Sequence, residues 1–109
     1  MVLRCDGLIP ALVLPMTEDA SIDEPGLRRY VRWVVAQGVV GVALNADTGE
    51  SAHLTHAEKL RVVEIAREEV PTGVGLIAGL GGPFTAEAVR QAHDYRSAGA
   101  DALLVFPIT

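Results

Sequence analysis

The chain is poor in cysteine, aromatic residues and lysine. Its single cysteine, Cys5, cannot form an internal disulfide bond and is interpreted as a small apolar residue near the start of a strand. This cysteine usage is typical of a reducing compartment, and a cytoplasmic location is expected. Aromatic residues make up only 5% of a sequence that is 50% hydrophobic. The core is therefore predicted to consist of Val, Leu, Ile and Ala, as in parallel α/β sheets that are covered on both faces.

Long apolar runs and clusters of basic residues are also missing. No apolar run approaches the roughly 20 residues of a membrane span, and the N-terminus lacks the apolar stretch of a signal peptide. The formal net charge is −5 and the nine Lys and Arg residues are scattered along the chain. Neither a nucleic acid nor a membrane is therefore an expected partner. With 109 residues, the chain (1–109) is predicted to be one domain.

Short apolar runs alternate with amphipathic stretches along the whole chain. The apolar runs predict four buried strands, over residues 8–14, 39–44, 74–79 and 100–107. Between them, three helices are predicted, the first over residues 24–37, the second opening at a capping box from Thr55 to Glu58, and the third capped by Thr85 and ended by Gly99. Strand starts about 30 residues apart are typical of βαβ units, which predicts a parallel sheet with right-handed crossovers.

Two further features of this pattern bear on the structure. On the third helix, Val89, Ala92 and Tyr95 recur at helical spacing and are predicted to face inward. At the second predicted strand, VVGVAL (39–44) stops abruptly and is followed by the polar stretch NADTGES (45–51).

The motifs resemble those of the dihydrodipicolinate synthase and N-acetylneuraminate lyase family. The resemblance covers nearly the whole chain and consists of short motifs in the family's order: ALVLPMTED (11–19), Ile22-Asp23, ADTGES (46–51), LTHAEK (54–59), IAGLGG (77–82), TAEA (85–88) and GADALLVFP (99–107). It implies an α/β fold, the (β/α)8 TIM barrel, of which this chain would be the N-terminal half from the first strand through the fourth, in the order β-α-β-α-β-α-β. Active sites of such barrels lie at the carboxyl ends of the strands, which is where NADTGES is expected.

The resemblance also implies site residues. The family has G-T-T-G-E at the end of the second strand, where it holds the carboxylate of an imine formed from pyruvate. Thr48 and Gly49 match this motif as substrate-binding residues, and Ala46 stands at its first glycine. The first threonine, whose hydroxyl relays a proton in the family, is replaced by Asp47. Asp47 is expected either to act as a general acid or base in the catalytic relay or to cap a turn through backbone N–H groups.

A second departure lies after the fourth strand. The family commonly has Pro-Tyr-Tyr there, and its second tyrosine completes the proton relay across a subunit interface. This chain has Pro107, Ile108 and Thr109. Thr109 keeps a hydroxyl at the catalytic position but lacks the reach and acidity of a phenol.

Other candidate groups have less support. Lys59 is the only lysine, and it is predicted to be a solvated residue of an outer helix, since the family's imine lysine lies on the sixth strand. His53 and His56 lack further metal ligands nearby, His93 is interpreted as a surface residue, and no metal is expected. The GLGG stretch (79–82) is predicted to be a turn and a wall of the pocket, because it lacks the full dinucleotide-binding pattern. No cofactor is expected.

Three functions remain open from the sequence. The first is a Schiff-base (class I) lyase or aldolase acting on pyruvate or a related 2-oxo acid, of which this chain is the N-terminal portion, with a homo-oligomer (dimer or tetramer) expected. The second is a non-catalytic half-barrel that shields its open strand edges by associating with itself or with a second chain. The third is a barrel related to the sugar-acid dehydratases or aldolases of the same family, in which Asp47 marks a different substrate.

Overall fold

The computed structural model describes residues 3–82 and 84–107. Helices and strands alternate in it, as the hydrophobic pattern predicts. In chain order they are helix α1 (Glu24–Val35), strand β1 (Gly41–Leu44), helix α2 (His56–Glu69), strand β2 (Gly75–Leu80), helix α3 (Thr85–Ala98) and strand β3 (Ala102–Val105). Two short 3-10 turns, Asp47–Gly49 and Ser51–His53, lie between β1 and α2.

The three strands form one parallel sheet in the order β1-β2-β3. Gly41 pairs with Gly75, so β1 and β2 start level, and Ile77 pairs with Ala102, so β3 starts two residues further along β2. Helix α1 packs on α2, and α2 packs on α3. The carboxyl ends of β1 and β2 therefore meet at the same edge of the sheet, as the barrel geometry requires for a shared site.

The first predicted strand, over residues 8–14, is only partly formed. It lies parallel to β1 and makes a single bridge, between Ala11 and Ala43. Around this bridge Leu12 N donates to Ala43 O at 2.9 Å, and Ala43 N donates to Pro10 O at 2.9 Å. Pro10 has no N–H with which to extend the ladder towards the start of the segment. The segment thus occupies a strand position beside β1 with fewer hydrogen bonds than a regular strand.

The helix starts agree with the sequence at two places and differ at a third. The side chain of Asp23 caps α1 by accepting a hydrogen bond from Gly26 N. Thr55 and Glu58 form the predicted capping box at α2. The prediction that Thr85 caps α3 is wrong: the Phe84 carbonyl accepts the first helical hydrogen bond, from Ala88 N, and Thr85 is the first residue of the helix.

The core lies between the helices and the helix-facing side of the sheet. Its fully buried members include Leu27, Val31, Val42, Val63, Ile65, Leu76 and Tyr95. Tyr95 faces inward as predicted, whereas Val89 is exposed, because the side of α3 that carries it borders β3 rather than the core. In residues 3–82 and 84–107 no helix is long and apolar enough to cross a membrane.

Candidate functional site

The candidate site is the chain segment that leaves the carboxyl end of β1. Asn45 follows β1 directly, is 2% exposed and adopts a left-handed backbone conformation with φ of 58°. Asparagine tolerates this conformation better than most residues with a side chain. The abrupt change from apolar to polar residues in the sequence therefore marks a reversal of the chain at the end of a buried strand.

A compact turn follows. The Ala46 carbonyl accepts hydrogen bonds from Gly49 N at 2.9 Å and Ser51 N at 3.5 Å, and Asp47 O accepts from Glu50 N at 3.1 Å. Glu50, with φ of 63°, joins this turn to the second 3-10 turn. The backbone of the ADTGES motif is thus organised by its own main-chain hydrogen bonds.

Asp47 lies beside a cavity between the ends of β1 and β2. The cavity has a volume of about 250 Å³ and is lined by Asn45, Asp47, Ser51, Ala52, Lys59, Gly79, Gly81 and Phe106. Its lining includes one acidic residue, Asp47, and one basic residue, Lys59. Such a pair can bind a small polar molecule that carries groups of both charges.

The structure distributes the predicted site residues over two sides of the turn. Asp47 is exposed and lines the cavity, and Ala46 is buried. Thr48 points to the other side, where its hydroxyl donates to Leu12 O at 3.4 Å. Thr48 is nevertheless exposed, whereas Gly49 is buried, and a Cβ at Gly49 would lie 3.3 Å from the same carbonyl. Thr109 lies outside the described residues, so its predicted role stays a prediction.

Lys59 is closer to the site than expected. The sequence predicted a solvated lysine on an outer helix, but Lys59 is half-buried and lines the cavity. The reason is that the second turn of α2 packs against the end of β1, where Asn45 Nδ2 donates to Lys59 O at 3.2 Å. The GLGG stretch also contributes to the cavity wall through Gly79 and Gly81, although Gly79 and Leu80 still belong to β2.

The histidines of this region are separate from the cavity. His56 Nε2 lies 2.8 Å from Asp94 Oδ2 and so joins α2 to α3, while His53 and His93 are exposed. In the part of the chain that the structure describes, no group of three or more His, Cys, Asp and Glu side chains could hold a metal ion.

Sequence reasoning missed a buried polar cluster behind the turn. Asn45 Oδ1, His56 Nδ1 and the Tyr95 hydroxyl are buried, and none has a hydrogen-bond partner among the described residues. The rings of His56 and Tyr95 lie 6.0 Å apart between their centroids. Burial raises the pKa of Tyr95 to about 12, and the Asn45 side chain lies close enough to oppose part of this rise. The one signal in the sequence was an asparagine placed directly after an apolar strand.

Comparison with known proteins places this geometry in a family. Residues 4–107 match the model of the dihydrodipicolinate synthetase family. A 4-hydroxy-tetrahydrodipicolinate synthase of Gluconacetobacter diazotrophicus is 46% identical over 99 residues, which are 91% of this chain and 33% of that protein. The chain spans about a third of the length of the curated relatives it matches.

Solved structures give the same result for the fold. Dihydrodipicolinate synthase from Aquifex aeolicus matches with a TM-score of 0.84 and 34% identity, over 91% of this chain and 33% of that one. N-acetylneuraminate lyase from Mycoplasma synoviae matches with a TM-score of 0.82 and 30% identity, over 91% of this chain and 34% of that one. The three-stranded parallel sheet and its helices are thus part of a TIM barrel.

Proposed function

Because the chain belongs to the dihydrodipicolinate synthetase family, we propose that the polypeptide containing it is a class I lyase or aldolase that forms an imine with pyruvate or a related 2-oxo acid. The observation that carries this proposal is the position of the ADTGE turn. It follows β1 at the edge of the sheet where barrel enzymes bind their substrates. The 109 residues would form the N-terminal half of the barrel in a cytoplasmic dimer or tetramer.

In this proposal the turn holds the carboxylate of the substrate. The N–H of Thr48 donates to the carboxylate, and its hydroxyl, which donates to Leu12 O in the absence of substrate, would exchange that bond for one to the carboxylate, while Ala46 and Gly49 shape the backbone that presents Thr48. Asp47, one residue earlier and beside the cavity, takes the place of a proton-relaying hydroxyl. Thr109 would complete the relay. The imine lysine would lie in the part of the relatives' length that these residues do not span.

Borohydride trapping on the full-length protein tests this proposal. Incubation with pyruvate and borohydride should add one reduced pyruvate to the intact mass, and peptide mapping should locate it on a lysine other than Lys59. Omission of borohydride is the control. Thr48→Val, which removes the hydroxyl at nearly constant volume, should slow the trapping. An intact mass that pyruvate leaves unchanged would contradict the proposal.

One observation supports a second candidate function, that of a non-catalytic half-barrel. The apolar side chains of β3 are exposed, and Val105 is 64% exposed. Uncovered apolar surface of this kind favours association with another copy or with a second chain. A non-catalytic half-barrel would use this face as its interface, and the size of the 109-residue chain in solution tests that alternative.

A further inference from the structure

Asn45 connects the candidate turn to helix α2. Its side chain is almost completely buried, and its Nδ2 donates to Lys59 O in the second turn of α2. Its Oδ1 is a buried acceptor without a partner among the described residues, and the Tyr95 hydroxyl on α3 is a buried donor in the same situation. The Asn45 side chain nevertheless opposes part of the rise that burial causes in the pKa of Tyr95, as an amide N–H near a phenol oxygen does.

The main chain of Asn45 is held as tightly as its side chain. A Cβ on Gly79 of β2 would lie only 2.3 Å from Asn45 O and 2.7 Å from its carbonyl carbon. This distance is below any contact that a real Cβ makes, so the backbone of Asn45 lies against β2 at a place that only glycine allows. Together with the left-handed φ, this contact fixes the direction in which the chain leaves β1.

The turn begins at the next residue. Ala46 O accepts the hydrogen bonds of Gly49 N and Ser51 N, so the position of its peptide group sets the position of the whole turn. A small rotation at Asn45 would displace Thr48 and Asp47 together. Displacements of about 1 Å at a substrate-binding group lower rates by as much as two orders of magnitude.

We propose that Asn45 is a positioning residue for the substrate carboxylate: its buried amide, bonded to Lys59 O of α2, and its main chain, packed against Gly79 of β2, fix the turn that carries Asp47 and Thr48. This inference rests on the proposed function, because the ligand it concerns is the carboxylate of the 2-oxo acid. It adds a residue outside the ADTGE motif to the machinery of the site.

The test compares two variants of the full-length protein. Asn45→Gly keeps the left-handed backbone accessible and removes the amide, whereas Val31→Ala removes core volume on α1 and serves as a control for lost stability. Two measurements are made on each variant: hydrogen exchange of the Gly49 and Ser51 amides, and KM and kcat for pyruvate.

We expect Asn45→Gly to accelerate exchange at Gly49 and Ser51 on the order of tenfold, with the amides of β2 unchanged, and to raise KM for pyruvate by a similar factor. Val31→Ala should do neither. Wild-type exchange together with wild-type KM in Asn45→Gly would overturn the inference. If Asn45→Gly does not fold, Asn45→Asp answers the same question, since it keeps the shape but places an oxygen against Lys59 O.

Failure of the proposed function gives a different result. If the wild-type protein forms no imine with pyruvate, the proposed reaction is wrong, and the exchange data alone then decide whether Asn45 positions the turn. Faster exchange at Gly49 and Ser51 would support that role, and unchanged exchange would overturn it.

Discussion

Asp47 places a carboxylate in the turn where the resemblance implies a hydroxyl. It is exposed and lines the cavity. A substrate carboxylate about 4 Å away would be repelled by roughly 1 kcal/mol in a water-like environment. Asp47→Asn should therefore lower KM for pyruvate about fivefold. Steady-state kinetics of the full-length protein measures this change, with Glu64→Gln on the outer side of α2 as the control.

The same variant, Asp47→Asn, also tests whether Asp47 transfers a proton. Asparagine cannot exchange a proton, so the proposed relay role predicts that Asp47→Asn also lowers kcat by two or more orders of magnitude. An unchanged KM would contradict the proposed repulsion, and an unchanged kcat would contradict the relay role.

Two glycines at the end of β2 form a matched pair. A Cβ on Gly79 would meet the Asn45 carbonyl at 2.3 Å, whereas a Cβ on Gly81 has no heavy atom within 4 Å among the described residues. Gly79→Ala should lower the free energy of unfolding by about 1 to 3 kcal/mol because the backbones must separate. Gly81→Ala should change it by less than about 0.5 kcal/mol. Urea denaturation measures both, and equal losses would contradict the close approach.

Tyr95 predicts a loss of stability in alkali. Its folded-state pKa, raised to about 12 by burial, exceeds the usual value of 10.0. The native state therefore holds the proton more tightly than the unfolded state, so this contribution is complete below pH 10 and is lost as the pH rises towards 12. By pH 11 the loss amounts to about 1 kcal/mol.

Comparison with Tyr95→Phe isolates this effect, because the variant keeps every other titrating group. Unfolding measured at pH 9 and pH 11 should show a smaller decrease in stability for Tyr95→Phe than for the wild type. Tyr30→Phe provides the control for removing a tyrosine from another helix. Equal decreases in wild type and Tyr95→Phe would contradict the burial of an ionisable hydroxyl.

At the scale of elements, two threonines at helix starts differ in their hydrogen bonds. Thr55 caps α2, since its Oγ1 accepts from Glu58 N at 3.1 Å and Glu58 Oε1 accepts from Thr55 N at 2.9 Å. Thr85 lies within the first turn of α3, which has no side-chain cap. Thr55→Ala should therefore destabilise the protein by about 1 kcal/mol, and Thr85→Ala by less than half of that. Thermal unfolding of the two variants measures the difference, and a larger effect at Thr85 would contradict it.

The elements that could be predicted are those whose signal is local. Capping residues and the spacing of apolar side chains located α1, α2, α3 and three of the four predicted strands to within a few residues. The segment over residues 8–14 has the apolar content of a strand, but Pro10 limits its pairing with β1. The prediction that Thr85 caps α3 was wrong, because the residue before the helix is Phe84 and its carbonyl accepts the first helical hydrogen bond.

The site could be predicted only in part, because only some of its residues are neighbours in the sequence. The ADTGE motif is continuous in sequence, and its position at the end of a strand followed from the pattern. The polar cluster behind it joins Asn45 from the end of β1, His56 from α2 and Tyr95 from α3, so no local spacing indicates it. Whether Asp47 and Thr48 lie on the same side of the turn also depends on the tertiary contact with Leu12.

At the scale of the whole molecule, a compact fold coexists with an open apolar face. The radius of gyration is 13.1 Å, close to the roughly 13 Å of a compact domain of 100 residues. In the β2–β3 register Ala78 pairs with Leu103 and Leu80 with Val105, so Leu103 and Val105 lie on the helix-facing side of the sheet. Among the described residues no helix covers them, and an apolar groove of about 420 Å³ lies between β3 and α3.

This face predicts how the 109-residue chain behaves by itself. Burial of a valine side chain contributes about 1.5 kcal/mol or more, so a charge in its place should weaken an apolar interface at least tenfold. Val105→Lys should therefore shift the isolated chain to smaller species in sedimentation velocity at several concentrations. Trp33→Lys is the control, because Trp33 is 63% exposed on α1, on a different element from the groove.

In the full-length protein, Val105→Lys should lower stability and leave association unchanged. If further residues of the barrel cover β3, Val105→Lys buries a charge against Val89 and Phe106 and lowers the melting temperature, while the oligomer keeps its size. An isolated chain that stays monomeric at every concentration would contradict the half-barrel alternative. If Val105→Lys leaves the melting temperature of the full-length protein unchanged, this face remains open to solvent in the complete molecule.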